Sequence, residues 1–188
     1  MEQEIEIEYK VLLSEEKFND ILNSLEFPKE PFTQINYYFE TPDFQLKKIN
    51  SALRIRKKNV DFIVTLKEPH PKGILETHDQ ISEMDFKKAI DKNELFAPNC
   101  RKQLEDKDIP LEKVEYVGSL TTERYEFKKN ELIYVLDKSF YNGQIDYELE
   151  IEAPSQATGK QIFNQLLTQF QIKQSPPITK IERFFQTI

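Results

Sequence analysis

The chain has 188 residues, of which 38% are hydrophobic, and its 14 Phe and 8 Tyr supply enough apolar surface for one globular core. Its formal net charge of -7 disfavours a dedicated nucleic-acid binder, because such proteins need a surplus of basic groups to replace phosphate counterions. The glutamate-rich start, the lack of a long apolar run and the lone Cys100 lead us to expect a cytoplasmic protein that does not enter a membrane. We expect a single domain over residues 1–188.

Strand and helix patterns alternate in the first half of the chain. A strand is predicted over 3–12, followed by a helix that Ser14 caps and Pro28 ends. Four more strands are predicted at 34–41, 51–58, 61–68 and 74–81. Ser82 then caps a second helix, and a further helical stretch is predicted at 98–107.

The second half contains three strands and a closing helix. The strands are predicted at 113–127, 131–140 and 144–153, and Asn142-Gly143 is a favoured hairpin dipeptide. After Pro154, apolar residues recur at helical spacing between 162 and 170. Eight strands with three or four helices predict a strand-rich α+β domain. The chain has only 4 Gly, which excludes a glycine-rich nucleotide-binding loop.

Charged side chains recur at alternate positions along several predicted strands. One face of EIEIEYK is apolar, and the other carries Glu4, Glu6, Glu8 and Lys10. The same alternation gives Glu148, Glu150 and Glu152 in YELEIE, Arg54 and Arg56 in LRIR, Lys67 in TLK, and Arg124 in the sixth strand. For any single strand, a solvated face is the ordinary explanation of such a pattern.

The signs of these charges are segregated between strands. Acids lie in the first and last strands and bases in the third, fourth and sixth. Because like charges repel along a sheet, this distribution favours a divalent cation at the acids and a polyanion at the bases. Four carboxylates can converge on one ion if the first and last strands are neighbours. A closed barrel brings these two strands together, so we predict an eight-stranded closed antiparallel β-barrel with a charged interior and flanking helices. Ligands that are all oxygen favour Mg²⁺ or Mn²⁺, and magnesium commonly bridges carboxylates and phosphates, so a phosphate chain is the expected partner.

EIEIEYK resembles the Glu-x-Glu-x-Lys signature of the CYTH superfamily, the triphosphate tunnel metalloenzymes. This superfamily includes thiamine triphosphatases, inorganic triphosphatases, RNA triphosphatases and class IV adenylyl cyclases. Further matches follow in the family's order over nearly the whole chain: LRIR at 53–56, TLK at 65–67, Glu76 in ILET, Arg124, LDK at 136–138, YELEIE at 147–152 and Lys180 in ITKIERF. The resemblance implies an eight-stranded antiparallel tunnel that binds a triphosphate with Mg²⁺ or Mn²⁺.

The resemblance also implies roles for individual residues. The implied metal ligands are Glu6, Glu8, Glu148 and Glu150. The implied phosphate contacts are Lys10, Arg54, Arg56, Lys67, Arg124 and Lys180, with Lys10 and Lys67 as the catalytic candidates. Glu76 and Asp137 are candidates for the acidic set, and Glu152 is equally suited to solvent exposure because it lies near a strand end.

The two histidines are expected to have no role in chemistry. His70 and His78 have no neighbouring residues that resemble a catalytic triad or a zinc-binding spacing, so they are expected to be surface or hydrogen-bonded side chains. Thr77 and His78 also stand where many superfamily members carry further Arg or Glu.

Three hypotheses about function follow. The first is metal-dependent hydrolysis of inorganic triphosphate, thiamine triphosphate or a nucleoside triphosphate, with Lys10 polarising the phosphate and Glu148 or Glu150 orienting the attacking water. The second is cyclisation of ATP to cyclic AMP, which is ranked lower because no base-recognition motif is evident. The third is binding of polyphosphate or nucleotide without catalysis.

Overall fold

The computed structural model describes residues 2–174 and 178–188, so the predicted domain over 1–188 includes Met1 and residues 175–177, which lie outside the described residues. The strands are β1 (Glu2–Glu6), β2 (Glu8–Leu13), β3 (Phe32–Glu40), β4 (Ala52–Lys58), β5 (Asp61–His70), β6 (Gly73–Ile81), β7 (Glu115–Lys129), β8 (Leu132–Tyr141) and β9 (Gln144–Glu152). The helices are α1 (Glu15–Ser24), α2 (Gln45–Lys48), α3 (Glu83–Lys92), α4 (Pro98–Glu105), α5 (Gln156–Gln169) and α6 (Lys180–Phe185), with a 3₁₀ turn at Leu111–Lys113.

The strands form one sheet in the order β1-β6-β5-β4-β3-β7-β8-β9-β2. The described registers are antiparallel. The order begins on β1 and ends on β2, and only Ile7 separates these two strands in the chain. The predicted antiparallel α+β fold with flanking helices is confirmed. The described residues contain nine strands rather than eight, because the predicted first strand divides at Ile7.

The chain divides into two compact units. The first contains Met1–Ile5 and Gln34–Leu120, and the second contains Glu6–Thr33 and Thr121–Ile188. The expectation that residues 1–188 make a single domain stays a prediction.

The first unit buries the apolar faces of β4 and β5 under α3 and α4. The core side chains of the two strands, none of them exposed, are Leu53, Ile55, Val64 and Leu66. They share one hydrophobic cluster with Ala89 of α3 and Leu104 of α4. Burying each of these large aliphatic side chains contributes about 1.5–3 kcal/mol. Because side chains alternate along a strand, Arg54, Arg56 and Lys67 lie on the opposite face.

The second unit buries the apolar faces of β2, β8 and β9 under α1 and α5. The cluster includes Val11, Phe18, Ile21, Leu136, Leu149, Ile151, Phe163 and Leu166. Gly159 allows α5 to approach β2 closely, since a Cβ atom there would lie 2.6 Å from Cε2 of Tyr9. The alternate residues of β8 and β9, which include Asp137, Glu148 and Glu150, therefore face away from α1 and α5.

The helices begin where the side chains provide caps. Ser14 and Ser82 cap α1 and α3 as predicted, each hydroxyl accepting a hydrogen bond from a backbone amide of the first turn. The short helix α2 was not predicted. The carboxylate of Glu40 accepts hydrogen bonds from the amides of Leu46 and Lys47 at 3.0 and 2.9 Å, a contact from outside the helix that no local pattern reveals. Within the described parts of the chain, no helix is long and apolar enough to cross a membrane.

Candidate metal and phosphate site

A hairpin positions two buried acids in the second unit. Asn142 and Gly143 join β8 to β9 with φ angles of 44° and 76°, the positive pair that a tight two-residue hairpin turn requires. This turn sets the register that places Asp137 directly opposite Glu148. Glu150 follows Glu148 on the same face of β9, so three carboxylates meet on two neighbouring strands.

These three residues form a buried carboxylate cluster. Asp137, Glu148 and Glu150 are 0%, 1% and 4% exposed. One carboxylate oxygen from each lies within 4.8 Å of the others, which is close enough for all three to coordinate one ion. A set of oxygen ligands alone matches the preference of Mg²⁺ and Mn²⁺.

Lys180 supplies a positive charge at the centre of this carboxylate cluster. Its Nζ lies 2.8 Å from Oδ2 of Asp137, 2.5 Å from Oε1 of Glu148 and 2.5 Å from Oε1 of Glu150. The ammonium group therefore contacts the same three carboxylates that could hold a metal ion. Burial opposes the charge of Lys180, but these carboxylates raise its pKa well above the usual value.

Two arginines complete the charge balance. Nε and Nη2 of Arg124 donate to the two oxygens of Asp137 at 2.8 and 2.7 Å, and Nη2 also donates to Glu150 at 3.0 Å. Arg183 reaches Glu148, with 2.8 Å between Nη1 and Oε2. The bidentate contact of Arg124 fixes the orientation of Asp137.

The local structure of α6 explains how Lys180 and Arg183 act together. Thr179 and Glu182 form a capping box, in which the amide of Glu182 donates to Oγ1 of Thr179 and the Glu182 side chain accepts from the amide of Thr179. Lys180 and Arg183 are three positions apart, so their side chains lie on neighbouring positions of one helix face. Lys180 was predicted, whereas Arg183 was missed, although the sequence TKIE already carries the capping-box signature.

Burial and charge set the pKa values in opposite directions within the carboxylate cluster. Burial raises the pKa of Glu148 to about 7, with the charge of Glu150 adding to the effect. Burial acts the same way on Glu150, but Lys180 and Arg124 outweigh it and hold its pKa well below the usual range. Glu150 contacts both of these cations, whereas Glu148 contacts Lys180 and Arg183.

Lys10 and Glu8 lie on β2 beside the carboxylate cluster. Lys10 is directly opposite Glu150 in the register of β2 with β9, and its Nζ forms an ion pair with Glu8. Burial lowers the pKa of Lys10, but the carboxylates of Glu8, Glu150 and Glu148 together raise it. Glu6 and Glu8, both predicted as metal ligands, are not members of the three-carboxylate group, and their role as ligands stays a prediction.

Glu152 lies near a strand end, where solvent exposure was one of the two expectations. Its side chain is partly buried. Burial, with a contribution from the charge of Glu6, raises its pKa to about 7. It also lies directly opposite Glu8 in the strand register. Two acids on neighbouring strands thus face each other at this point.

The predicted basic residues of the first unit lie on β4 and β5. Nε of Arg56 donates to Oδ1 of Asn36 at 3.1 Å, and Nζ of Lys67 forms an ion pair with Glu76. Nε of Arg54 is buried and makes no hydrogen bond to any residue in 2–174 or 178–188. A buried guanidinium donor that lacks an acceptor is suited to binding an anion.

The structure thus assigns the predicted site residues to the two units. The second unit contains Lys10, Arg124, Lys180, Glu6, Glu8, Glu148 and Glu150, and the first contains Arg54, Arg56 and Lys67. Within the second unit, Lys180 contacts Asp137, Glu148 and Glu150, and Arg124 contacts Asp137 and Glu150.

The protein thus has an antiparallel α+β fold, and its second unit contains a buried carboxylate cluster that could hold a metal ion. The CYTH domain model matches residues 4–185. The chain belongs to the CYTH family, and the resemblance seen in the sequence is confirmed.

Particular relatives extend this result. The chain is 42% identical over 187 residues to the Bacillus subtilis (strain 168) protein named "Putative triphosphatase YjbK", covering 99% of this chain and 97% of the relative. A Bacillus halodurans protein described as "a putative adenylate cyclase" has a crystal structure that matches with a TM-score of 0.94 and 41% identity, covering 98% of this chain and all of that one. A Hippeastrum protein, described as a "putative adenylyl cyclase" with "a dominant triphophatase activity", matches with a TM-score of 0.79 and 22% identity over 97% of this chain and 96% of that one, which shows the shared fold.

Proposed function

We propose that this protein is a divalent-metal-dependent triphosphatase of the cytoplasm. The observation that carries the proposal is the position of Nζ of Lys180, within 2.8 Å of oxygens from three buried carboxylates. A protein that holds three carboxylates around one cationic group has the oxygen ligands and the negative charge that Mg²⁺ or Mn²⁺ requires. Membership of the CYTH family and the 42% identity to a protein named as a triphosphatase support the same reaction.

In the second unit, Asp137, Glu148 and Glu150 are the proposed ligands of the ion, with Glu6 and Glu8 as further candidates. The bound ion would supply neutralising charge at the phosphate oxygens. Arg124 keeps Asp137 oriented, and Lys10 is the proposed donor to a phosphate oxygen. Glu148 or Glu150 is the proposed residue that orients the attacking water.

In the first unit, Arg54, Arg56 and Lys67 are the proposed phosphate contacts. The buried Nε of Arg54 has a hydrogen bond to donate, and an anionic oxygen is the acceptor that it favours. Each ion pair at about 4 Å is worth on the order of 4 kcal/mol at an effective dielectric of 20, before desolvation is subtracted. Several such contacts would bind a triphosphate tightly and hold its terminal phosphorus in place.

The proposal is tested by measuring phosphate release from tripolyphosphate, thiamine triphosphate and ATP, with Mg²⁺ or Mn²⁺ and with a chelator. We expect release that depends on metal, and one substrate of the three should be preferred. An Asp137→Asn variant purified in the same way controls for a contaminating phosphatase. Folded wild-type protein that releases no phosphate from any substrate with either metal would refute the proposal.

Cyclisation of ATP is the second candidate, because the Bacillus halodurans relative at 41% identity is described as "a putative adenylate cyclase". The two reactions give different products from ATP. A cyclase forms cyclic AMP and pyrophosphate, whereas a hydrolase forms ADP and phosphate. Chromatography of the ATP reaction distinguishes them, and we expect no cyclic AMP.

A further inference from the structure

A second group of metal-ligating side chains lies in the first unit, on β1 and β6. Nε2 of His78 lies 3.3 Å from Oε1 of Glu4 and 3.3 Å from Oε2 of Glu76. One ligand atom from each of the three residues lies within 4.8 Å of the others. Glu4 and His78 have no role in the proposed hydrolysis, so this group, the histidine cluster, needs an explanation of its own.

The backbone determines how the three side chains meet. Glu76 and His78 occupy alternate positions of β6 and therefore project from the same face. Glu4 comes from β1, the neighbour of β6 in the sheet. Nε2 of Gln3 donates to Oγ1 of Thr77 at 2.8 Å, which ties β1 to β6 beside the cluster.

Thr65 orients the imidazole ring of His78. It lies directly opposite His78 in the register of β5 with β6, and its hydroxyl oxygen is 3.1 Å from Nδ1. When Nδ1–H donates to this hydroxyl, Nε2 carries a lone pair directed at the two carboxylates. Histidines that bind metals have this arrangement, with the second ring nitrogen donating to an outer partner. In the other tautomer Nε2–H donates to these carboxylates, so a metal ion that binds Nε2 takes the place of this proton.

The two oxygens of Glu76 have different partners. Oε1 forms the ion pair with Lys67, and Oε2 faces His78. The side chains of Glu76 and His78 are 7% and 17% exposed, whereas that of Glu4 is 68% exposed. Glu76 and His78 are thus held in place by the sheet. Glu4 lies on the solvent side of the cluster, where an ion can enter.

We propose that Glu4, Glu76 and His78 form a binding site for a transition-metal ion, with Zn²⁺ as its best probe. One imidazole nitrogen with two carboxylate oxygens is a ligand set that zinc accepts, whereas Mg²⁺ prefers oxygen ligands alone. Because Glu76 also pairs with Lys67, an ion at this site competes with Lys67 for the same carboxylate. The site is a proposal separate from the triphosphatase activity.

The chain contains only two histidines, which makes the test direct. The full-length protein is labelled with ¹³C-histidine, and the imidazole signals are followed by NMR while Zn²⁺ is added in the presence of excess Mg²⁺. His70 is the internal control, since its Nδ1 accepts a hydrogen bond from the amide of Lys72 in the β5–β6 turn. We expect stoichiometric Zn²⁺ to shift the signals of His78 and to leave those of His70 in place.

The variant Glu4→Gln provides the second measurement. The Glu4 side chain is mostly exposed, so its replacement leaves the fold intact, and we expect zinc to bind at least about tenfold more weakly. The exposed Glu94→Gln is the matched control and should bind zinc as the wild type does. The proposal is wrong if the His78 signals do not move, if both histidines respond together, or if Glu4→Gln retains full affinity. Phosphate release with Mg²⁺ should persist in Glu4→Gln, which separates this result from a failure of the proposed hydrolysis.

Discussion

The ammonium group of Lys180 lies 2.5 Å from a carboxylate oxygen of Glu148, and both side chains are nearly fully buried. The lysine comes from the short helix α6, whereas the glutamate belongs to β9. A buried carboxylate requires a positive partner, so the helix and the acids of the sheet depend on each other. A metal ion that binds these acids has to compete with the lysine.

Replacing Lys180 with methionine should therefore have opposite effects on stability and on metal binding. Without added metal, we expect the free energy of unfolding to fall by about 3–5 kcal/mol, because the variant leaves three buried carboxylates with only the two arginines as cationic partners among the described residues. Calorimetry should show tighter Mn²⁺ binding, since no ammonium group competes. Mn²⁺ at about 100 times its dissociation constant should return about 2.7 kcal/mol of stability.

The control for this experiment is Lys160→Met on the exposed side of α5, which should change neither quantity. The prediction is wrong if Lys180→Met has wild-type stability and binds Mn²⁺ no more tightly than the wild type. The lysine would then not compete with the ion.

Glu150→Gln should nearly abolish metal-dependent phosphate release. Glu150 contacts both Lys180 and Arg124, which keep its pKa low and its side chain charged over the whole working range of pH. Loss of this charge removes one proposed ligand of the ion, and we expect kcat to fall by about a hundredfold or more. Glu94→Gln should retain full activity, and full activity in Glu150→Gln would exclude Glu150 as a ligand.

The sequence predicted the acidic group largely because strand alternation is a local property. The period of two in YELEIE places Glu148 and Glu150 on one face whatever the rest of the chain does. Asp137 was a weaker candidate, since its place in the group depends on the register of β8 with β9. Register is a relation between two strands, and only the Asn142-Gly143 turn indicated it in advance.

Other features depend on contacts that a local pattern does not contain. The alternation in EIEIEYK is unbroken, so nothing in it predicts that β1 ends at Glu6 and β2 begins at Glu8. Ile5 lies on the apolar face of this pattern, and its side chain is 43% exposed. The histidine cluster was missed for the same reason, because the expectation for His78 rested on its neighbours in sequence, while Glu4 reaches it from 74 positions away.

The stability of the protein should depend on pH through Glu152. Burial raises its pKa to about 7 in the folded state, above the usual value of 4.5. The folded protein then binds more protons than the unfolded chain between these two values, so stability falls as the pH rises from about 4.5 to about 7. Glu152→Gln removes this contribution. Relative to wild type, we expect the variant to gain about 1–2 kcal/mol between pH 4.5 and pH 8, after the full shift is discounted for partial exposure.

Urea unfolding at several pH values, for wild type and Glu152→Gln, measures this difference. The exposed Glu94→Gln serves as the control and should follow the wild-type pH dependence. A difference between wild type and Glu152→Gln that does not vary with pH would contradict the raised pKa.

Arg54→Met tests whether Nε of Arg54, which is buried and makes no hydrogen bond to any described residue, binds phosphate. Methionine preserves most of the apolar stem of arginine, so the fold should tolerate the change, while the charged donors are lost. A hydrogen bond to a charged group is worth about 1.5–3 kcal/mol, so KM for tripolyphosphate should rise roughly ten- to a hundredfold. Lys58→Met, on the same face at the exposed end of β4, is the matched control and should leave KM within about twofold of wild type. Equal KM values for Arg54→Met and Lys58→Met would mean that Arg54 is a structural residue, because a phosphate contact has to weaken substrate binding when it is removed.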